Sequence, residues 1–250
     1  MADPVLRLEG LRKSFGALVV TDDLSLEVGA GELHAVIGPN GAGKTTLINQ
    51  ISGLLKPDAG RILFAGRDVT ALPAHARAAA GLARSFQVTS ILPGFTALEN
   101  VALAVQARSG SSLRVFGRAA QEDALNRPAL SALGEVGLGH RAHVPAGHLS
   151  HGEKRALELA IALAMAPKLL LLDEPMAGTG REESNRLVGL LRELKGRFPM
   201  VLVEHDMTAV FALADRISVL IYGRVLATGT PDAVRADPKV AAAYLGEEME

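Results

Sequence analysis

Residues 5–9 alternate apolar and polar, as do Leu24, Leu26 and Val28, the two-residue period of half-buried strands. Gly29-Ala30-Gly31 closes the second with a turn, and Lys13-Ser14-Phe15-Gly16 between them reads as a loop with an exposed aromatic. Residues 33–37 form an apolar stretch with strand character. Residues 44–55 switch to helical spacing, with Leu47, Ile48, Ile51, Leu54 and Leu55 on one face. A turn over 57–60, a strand over 61–65, a helix over about 73–80 and a short strand over 82–86, ending at Gln87, follow.

From 88 to 150 strand signal nearly vanishes. Thr96-Ala97-Leu98-Glu99 is a capping-box pattern that opens a helix to about Arg108. Gly110-Ser111-Ser112 is a flexible break. A second helical stretch covers 119–136, and Asn126-Arg127-Pro128 predicts a restart there, with Asn126 as cap and Pro128 in the first turn. Beyond it the pattern predicts a helix over 152–166, a doubly covered strand over 169–172 and a helix over 181–195 with Leu187, Leu190, Leu191 and Leu194 buried. A buried strand over 200–203, a helix over 207–214, a hairpin about Tyr222-Gly223-Arg224 and two short helices finish the chain. Alternating strands and helices imply a mainly parallel α/β core holding a helical insert.

Composition narrows the classes. With 250 residues and 48% apolar content the chain can bury a large core. A net charge of −1 gives no long-range field toward nucleic acid, and the absence of cysteine removes disulfides and thiolate metal sites. The first ten residues lack an apolar signal core. Glu158, Pro167 and Lys168 interrupt the most apolar region, so it reads as a buried helix and strand rather than a membrane span, and any membrane role is expected to come through a partner. His140, His143, His148 and His151 form two H-x-x-H pairs, but in a Gly/Pro-rich loop without a carboxylate at ligand spacing, and they are not read as a zinc site. Arg114 and Arg118 read as a solvated basic face.

Two stretches carry chemistry. Gly38-Pro39-Asn40-Gly41-Ala42-Gly43-Lys44-Thr45 has the spacing G-x-x-x-x-G-K-[ST] between a predicted strand and a predicted helix, the context in which that pattern cradles phosphates. Glycines let N–H groups turn inward, the helix N-terminus adds positive dipole, Lys44 adds a charge and Thr45 a hydroxyl for Mg²⁺. Thr46 follows at the same helix start. Further on, four leucines deliver Asp173-Glu174-Pro175 at a strand end, a Walker-B arrangement. Ligands in open α/β sheets bind at such ends. Asp173 would hold Mg²⁺ and Glu174 would orient the attacking water.

Leu149-Ser150-His151-Gly152-Glu153, at a helix start 21 residues before Glu174, resembles the signature Leu-Ser-Gly-Gly-Gln of the ABC transporter ATPases. His151 replaces a glycine and Glu153 the glutamine. The resemblance covers essentially the whole chain. It implies a P-loop NTPase (RecA-like) α/β core, with an antiparallel β subdomain, over residues 1–87 and 151–250, and a helical subdomain over 88–150. It also implies that Phe15 stacks on adenine, that Gln87 reaches Mg²⁺ or the lytic water, and that His205 contacts the γ-phosphate. Residues 149–153 would close over ATP held by a second ATPase subunit. Gly180 stands where the family's D-loop has Asp, which leaves that loop without its side-chain partner.

Within the family, Leu82-Ala83-Arg84-Ser85-Phe86-Gln87, Glu204-His205-Asp206-Met207 and Ala243-Tyr244-Leu245-Gly246-Glu247 resemble the ATPases of branched-chain amino acid importers. That resemblance implies ATP and Mg²⁺ as cofactors. The implied partners are a second ATPase subunit, two membrane permeases and, indirectly, a periplasmic binding protein. The implied location is the cytoplasmic face of the plasma membrane, with no nucleic-acid partner. An ATPase of a lipid or polysaccharide exporter would share every catalytic motif. A soluble ABC protein acting on nucleic acid or ribosomes would want a duplicated ATPase, a coiled-coil insert or a basic face.

Overall fold

The computed structural model describes residues 3–85, 91–109 and 123–245, with side chains to 242. Gln87, Arg114, Arg118, the break at 110–112 and the end of the 243–247 stretch lie outside the described residues. The elements run β1 (Leu6–Phe15), β2 (Leu18–Val28), β3 (Leu33–Ile37), α1 (Lys44–Ser52), β4 (Ala59–Phe64), β5 (Arg67–Asp68), α2 (Ala74–Ala79), β6 (Leu82–Arg84) and α3 (Ala97–Ser109). Then come α4 (Asp123–Glu135), α5 (His151–Ala164), β7 (Leu169–Asp173), α6 (Arg181–Leu194), β8 (Met200–Val203), α7 (Met207–Leu213), β9 (Arg216–Ile221), β10 (Arg224–Gly229), α8 (Pro231–Ala236) and α9 (Pro238–Leu245).

Two sheets form. One is antiparallel, in the order β2-β1-β4-β5, and the other runs β10-β9-β3-β8-β7-β6, parallel throughout except for the β9–β10 hairpin. Every residue of β3, β7 and β8 is buried, which is why their sequences are apolar except for His34, whose ring bonds Glu32 and Ser218, and Asp173 at the end of β7. The period of two then sorts their side chains. Val36, Leu169, Leu171, Val201 and Val203 point to the side of α1 and the antiparallel sheet, where they meet Leu47, Ile48, Ile51, Leu8 and Leu26. Ala35, Ile37, Leu170, Leu172 and Leu202 point to the other side and join the cluster of α3, α4, α5, α6 and α7. Fully burying each such side chain contributes about 1.5–3 kcal/mol.

Several local expectations are corrected. Lys13 to Phe15 is not loop: β1 extends to Phe15, whose partner across the hairpin is Leu18. The helix does not restart at Asn126. Pro128 lies inside α4, at its sixth residue. Its ring removes one bond to the carbonyl four residues back. Leu125, Ala129, Ala132 and Leu133, buried against α3 and α5, hold the helix through that point. Leu190 is only partly buried in the α6 stripe. The short strand over 82–86 ends at Arg84, and β5 was not expected.

Candidate functional site

The order β3-β8-β7-β6 decides what meets what. All four strands are parallel, so their C-terminal ends open on one edge. Val36 and Asp173 are both in register with Val203, which places Ile37, Glu204 and Glu174 at one level, with Gly38 one residue beyond. The sheet therefore brings the glycine loop, Asp173, Glu174 and His205 together although their sequence separations are large.

Gly38 to Gly43 form the turn between β3 and α1, and Gly43 caps α1 in a left-handed conformation (φ 102°). A side chain could not replace hydrogen at either end. A Cβ at Gly38 would lie 2.2 Å from the Leu220 carbonyl oxygen, and one at Gly43 would lie 2.6 Å from that of Val20. The loop is thus clasped between β9 and β2. Pro39 is half-buried, Asn40 and Gly41 are exposed, and Ala42 packs inward. Lys44 Nζ donates to the carbonyl oxygens of Gly38 and Pro39, the latter at 2.8 Å. Thr45 is exposed and Thr46 half-buried on the first turn of α1. Phe15, 52% exposed, stands at the tip of the β1–β2 hairpin, with Lys13 Nζ 5.6 Å from its ring centre.

Asp173 is buried at the end of β7 and pairs with Arg84, whose Nη2 lies 2.8 Å from Oδ2. Arg84 Nη1 donates in turn to Asn49 Oδ1 at 2.7 Å and Ser52 Oγ at 3.2 Å on α1. Asn49 is one helical turn beyond Thr45 and shares its face, so the Thr45 hydroxyl and the Asp173 carboxylate lie on the same side of α1. Hydroxyl and carboxylate are hard oxygen donors, the set that suits Mg²⁺. Glu174 adopts a left-handed backbone (φ 47°), unusual for a non-glycine residue. His205 is 65% exposed just past β8, and Glu204 beside it is fully buried.

Residues 149–153 occupy the start of α5. Leu149 is buried and Ser150 caps the helix, its hydroxyl accepting from the Glu153 N–H at 3.2 Å. Glu153 Oε2 accepts from the Ser150 N–H at 2.8 Å, completing a capping box. That N–H, and the Arg141 guanidinium beside it, hold the Glu153 carboxyl below the usual carboxylate range. The spacing S-x-x-E was the signal for this box, and reading Glu153 only as a substituted glutamine passed over it. His151 is exposed, and the Gly152 N–H donates to Glu183 Oε1 of α6 at 3.3 Å. A Cβ on Gly152 would come within 2.9 Å of that carboxyl, so any side chain there would displace Glu183. The described hydrogen bonds of this loop run to neighbouring Arg141 and Glu183, not to the glycine loop. Arg84 and Glu204 were missed as members of the site, since burial of a charged side chain has no local sequence signature.

Comparison with known proteins agrees with this geometry. A family model described as "ABC transporter" matches residues 21–177, and one described as "Branched-chain amino acid ATP-binding cassette transporter" matches residues 224–250. The high-affinity branched-chain amino acid transport ATP-binding protein LivG of Escherichia coli K12 is 38% identical, covering 99% of this chain and 100% of that protein. BraF of Pseudomonas aeruginosa, described in the same words, is 36% identical over 99% of this chain and 100% of its own length. The lipopolysaccharide export system ATP-binding protein LptB of Acidithiobacillus ferridurans is 37% identical, covering 98% of each. A crystal structure of an ATP-binding cassette of an ABC transporter in its ADP conformation superposes with a TM-score of 0.86 at 31% identity, over 98% of this chain and 100% of that one. A nucleotide-free cassette gives 0.85 at 32% identity, over 96% and 98%. This is an ATP-binding, ATP-hydrolysing cassette, and the chain belongs to the ABC transporter family.

Proposed function

We propose that the chain powers an importer of branched-chain amino acids or of a related small polar solute. The observation that carries this reading is the C-terminal match over residues 224–250, outside the ATPase motifs that importers and exporters share. Full-length similarity to LivG and BraF supports it. The similarity to LptB keeps a second reading, a lipid or polysaccharide exporter.

In this reading Gly38 to Thr46 cradle the phosphates of ATP and Phe15 stacks on adenine. Lys44 neutralises phosphate charge from the loop itself, where its ammonium already bonds the Gly38 and Pro39 carbonyls. Glu174 accepts a proton from the attacking water while His205 holds it in line, so the nucleophile forms where the γ-phosphoryl lies. Thr45, Asp173 and Gln87 would hold Mg²⁺, which supplies further charge neutralisation. Ser150 and the Gly152 N–H of a second ATPase subunit complete the phosphate site from outside, at a helix N-terminus suited to an anion. Residues 88–150 form the surface on which a permease docks, and residues 1–87 and 151–250 the core that hydrolyses ATP. No helix among the described residues is long and apolar enough to cross a membrane. In this reading two permeases, supplied by a periplasmic binding protein, hold the chain at the cytoplasmic face.

Glu174→Gln tests the chemistry. It should bind ATP, accumulate as a dimer in ATP and lose turnover, and near-normal hydrolysis would overturn the assignment. Purification from native membranes tests the cargo. Recovery with permeases and a small-solute binding protein is expected, and recovery with a lipid-export permease would favour the second reading.

A further inference from the structure

β8 ends in Glu204, whose side chain is 0% exposed. Its two carboxylate oxygens serve different parts of the chain. Oε1 accepts the Met176 N–H at 2.8 Å, while Oε2 accepts those of His205 at 3.0 Å and Asp206 at 3.3 Å. Among the described residues its ion-pair partner is the His205 ring itself, with Nδ1 3.8 Å from Oε2. A buried carboxylate is thus held by main-chain N–H groups of two separate loops. An apolar replacement would strand those N–H groups, so the carboxylate ties both loops to the end of β8. What the carboxylate adds is a fixed distance between two segments.

Those segments carry the reaction. Met176 is two residues past Glu174, and His205 adjoins Glu204 directly. Glu174 has the left-handed backbone noted above, a conformation that persists only where its surroundings over-determine it. β8 constrains it from both sides. The Glu174 N–H donates to the Val203 carbonyl at 2.9 Å, and the Met176 N–H donates to Glu204. The same carboxylate turns the chain at His205 and Asp206 away from the strand direction.

We propose that Glu204 is a positioning residue for ATP hydrolysis, one carboxylate that sets Glu174 and His205 relative to each other. The inference rests on the roles given to those two residues above. Glu204 lies outside the glycine loop and α1, so the phosphate cradle and Phe15 do not depend on it.

Glu204→Gln preserves volume but places an amide NH₂ against a main-chain N–H whichever way the amide turns. The expected result is a fall in kcat of about tenfold or more, with KM and affinity for a fluorescent ATP analogue within about twofold of the parent. Glu204→Asp, which keeps the charge with a shorter reach, should fall between the two. Parental kcat in a folded Gln or Asp variant, beside an inactive Glu174→Gln control, overturns the proposal. So does a kcat that falls only together with nucleotide affinity, the mark of general damage. If Glu204→Gln does not fold, Glu204→Asp decides on the same readouts. Normal hydrolysis by the Glu174→Gln control would show instead that the site assignment has failed, and the proposal with it.

Discussion

Arg84 and Asp173 form a buried ion pair across neighbouring parallel strands, Nη2 to Oδ2 at 2.8 Å, with side chains 9% and 2% exposed. Through Asn49 and Ser52 the same guanidinium reaches α1, so one side chain joins the Walker-B strand to the helix that follows the glycine loop.

Removing Arg84 would leave Asp173 buried without this charge partner. Arg84→Ala is expected to cost about 3–5 kcal/mol, the usual penalty for breaking a buried pair from one side. Urea unfolding reads this as a lowered midpoint. Arg84→Lys keeps the charge but loses the fork, and should lie between. A parental midpoint for the alanine variant would contradict the account.

Arg77 makes a second prediction. It is 1% exposed, and its guanidinium donates to the carbonyl oxygens of Gln50, Ile51, Thr70 and Leu72. Two of these belong to the last turn of α1, where Gln50 O also accepts from the Gly53 N–H at 3.3 Å. Arg77→Met keeps the apolar stem but takes the guanidinium donors from the Ile51, Thr70 and Leu72 oxygens. At about 1–3 kcal/mol for each group left unsatisfied, a loss of at least about 2 kcal/mol is expected. Faster amide exchange confined to α1 and α2 would locate the effect, and unchanged exchange there would refute it.

Two capping boxes predict the acid limb of the stability curve. The Thr96 N–H and hydroxyl hold the Glu99 carboxyl below its ordinary range, as the Ser150 N–H and then Arg141 do for Glu153. A carboxylate with a depressed folded-state pKa stabilises the fold above its unfolded pKa, about 4.3. That contribution is lost as pH falls through the lower folded value. Stability should therefore fall from about pH 5 downward. The double variant Glu99→Gln, Glu153→Gln should show a shallower slope, and an equally steep decline in both proteins would exclude these carboxylates as its source.

Gly223 predicts an effect on nucleotide binding from outside the phosphate cradle. Its N–H donates to Ala42 O at 3.0 Å, its carbonyl accepts from the Asp22 N–H at 2.9 Å, and its φ is 76°. An added Cβ would lie 2.4 Å from Val20 O. Gly223→Ala must push β2 or the glycine loop aside. ATP affinity should fall about tenfold, the equivalent of about 1.4 kcal/mol, within the range for such backbone strain. Titration with a fluorescent analogue checks this, and parental affinity would sink it.

The parts of the site legible in the sequence are those whose chemistry needs a fixed local spacing. Gly38 to Thr45 and Asp173-Glu174 stand out because a phosphate cradle and a strand-end carboxylate pair are each built within a few residues. The strand runs around Leu33, Leu169 and Met200 were equally readable, since double burial leaves few polar positions. Their order was not, because adjacency of β8 to both β3 and β7 depends on crossovers that no local pattern encodes. The same reason hid Arg77, Arg84 and Glu204, whose most distant partners lie 27, 89 and 28 residues away. Pro128 misled because local propensity argued for a break that packing by Leu125, Ala129 and Leu133 overrides.

The wedge of β8 between β3 and β7 also sets a timetable for synthesis. Val36 finds its partner Val203 only after the 167 residues between the two registers (203 − 36) have been made. At about 5–20 residues per second, the glycine loop waits roughly eight to thirty seconds on the ribosome for the strand that completes its sheet. During that interval β3 has a buried-type sequence and no neighbour on that flank. The antiparallel sheet, made from the first 68 residues, has no such wait. The parallel sheet closes only when β8, from the last quarter of the polypeptide, enters between β3 and β7.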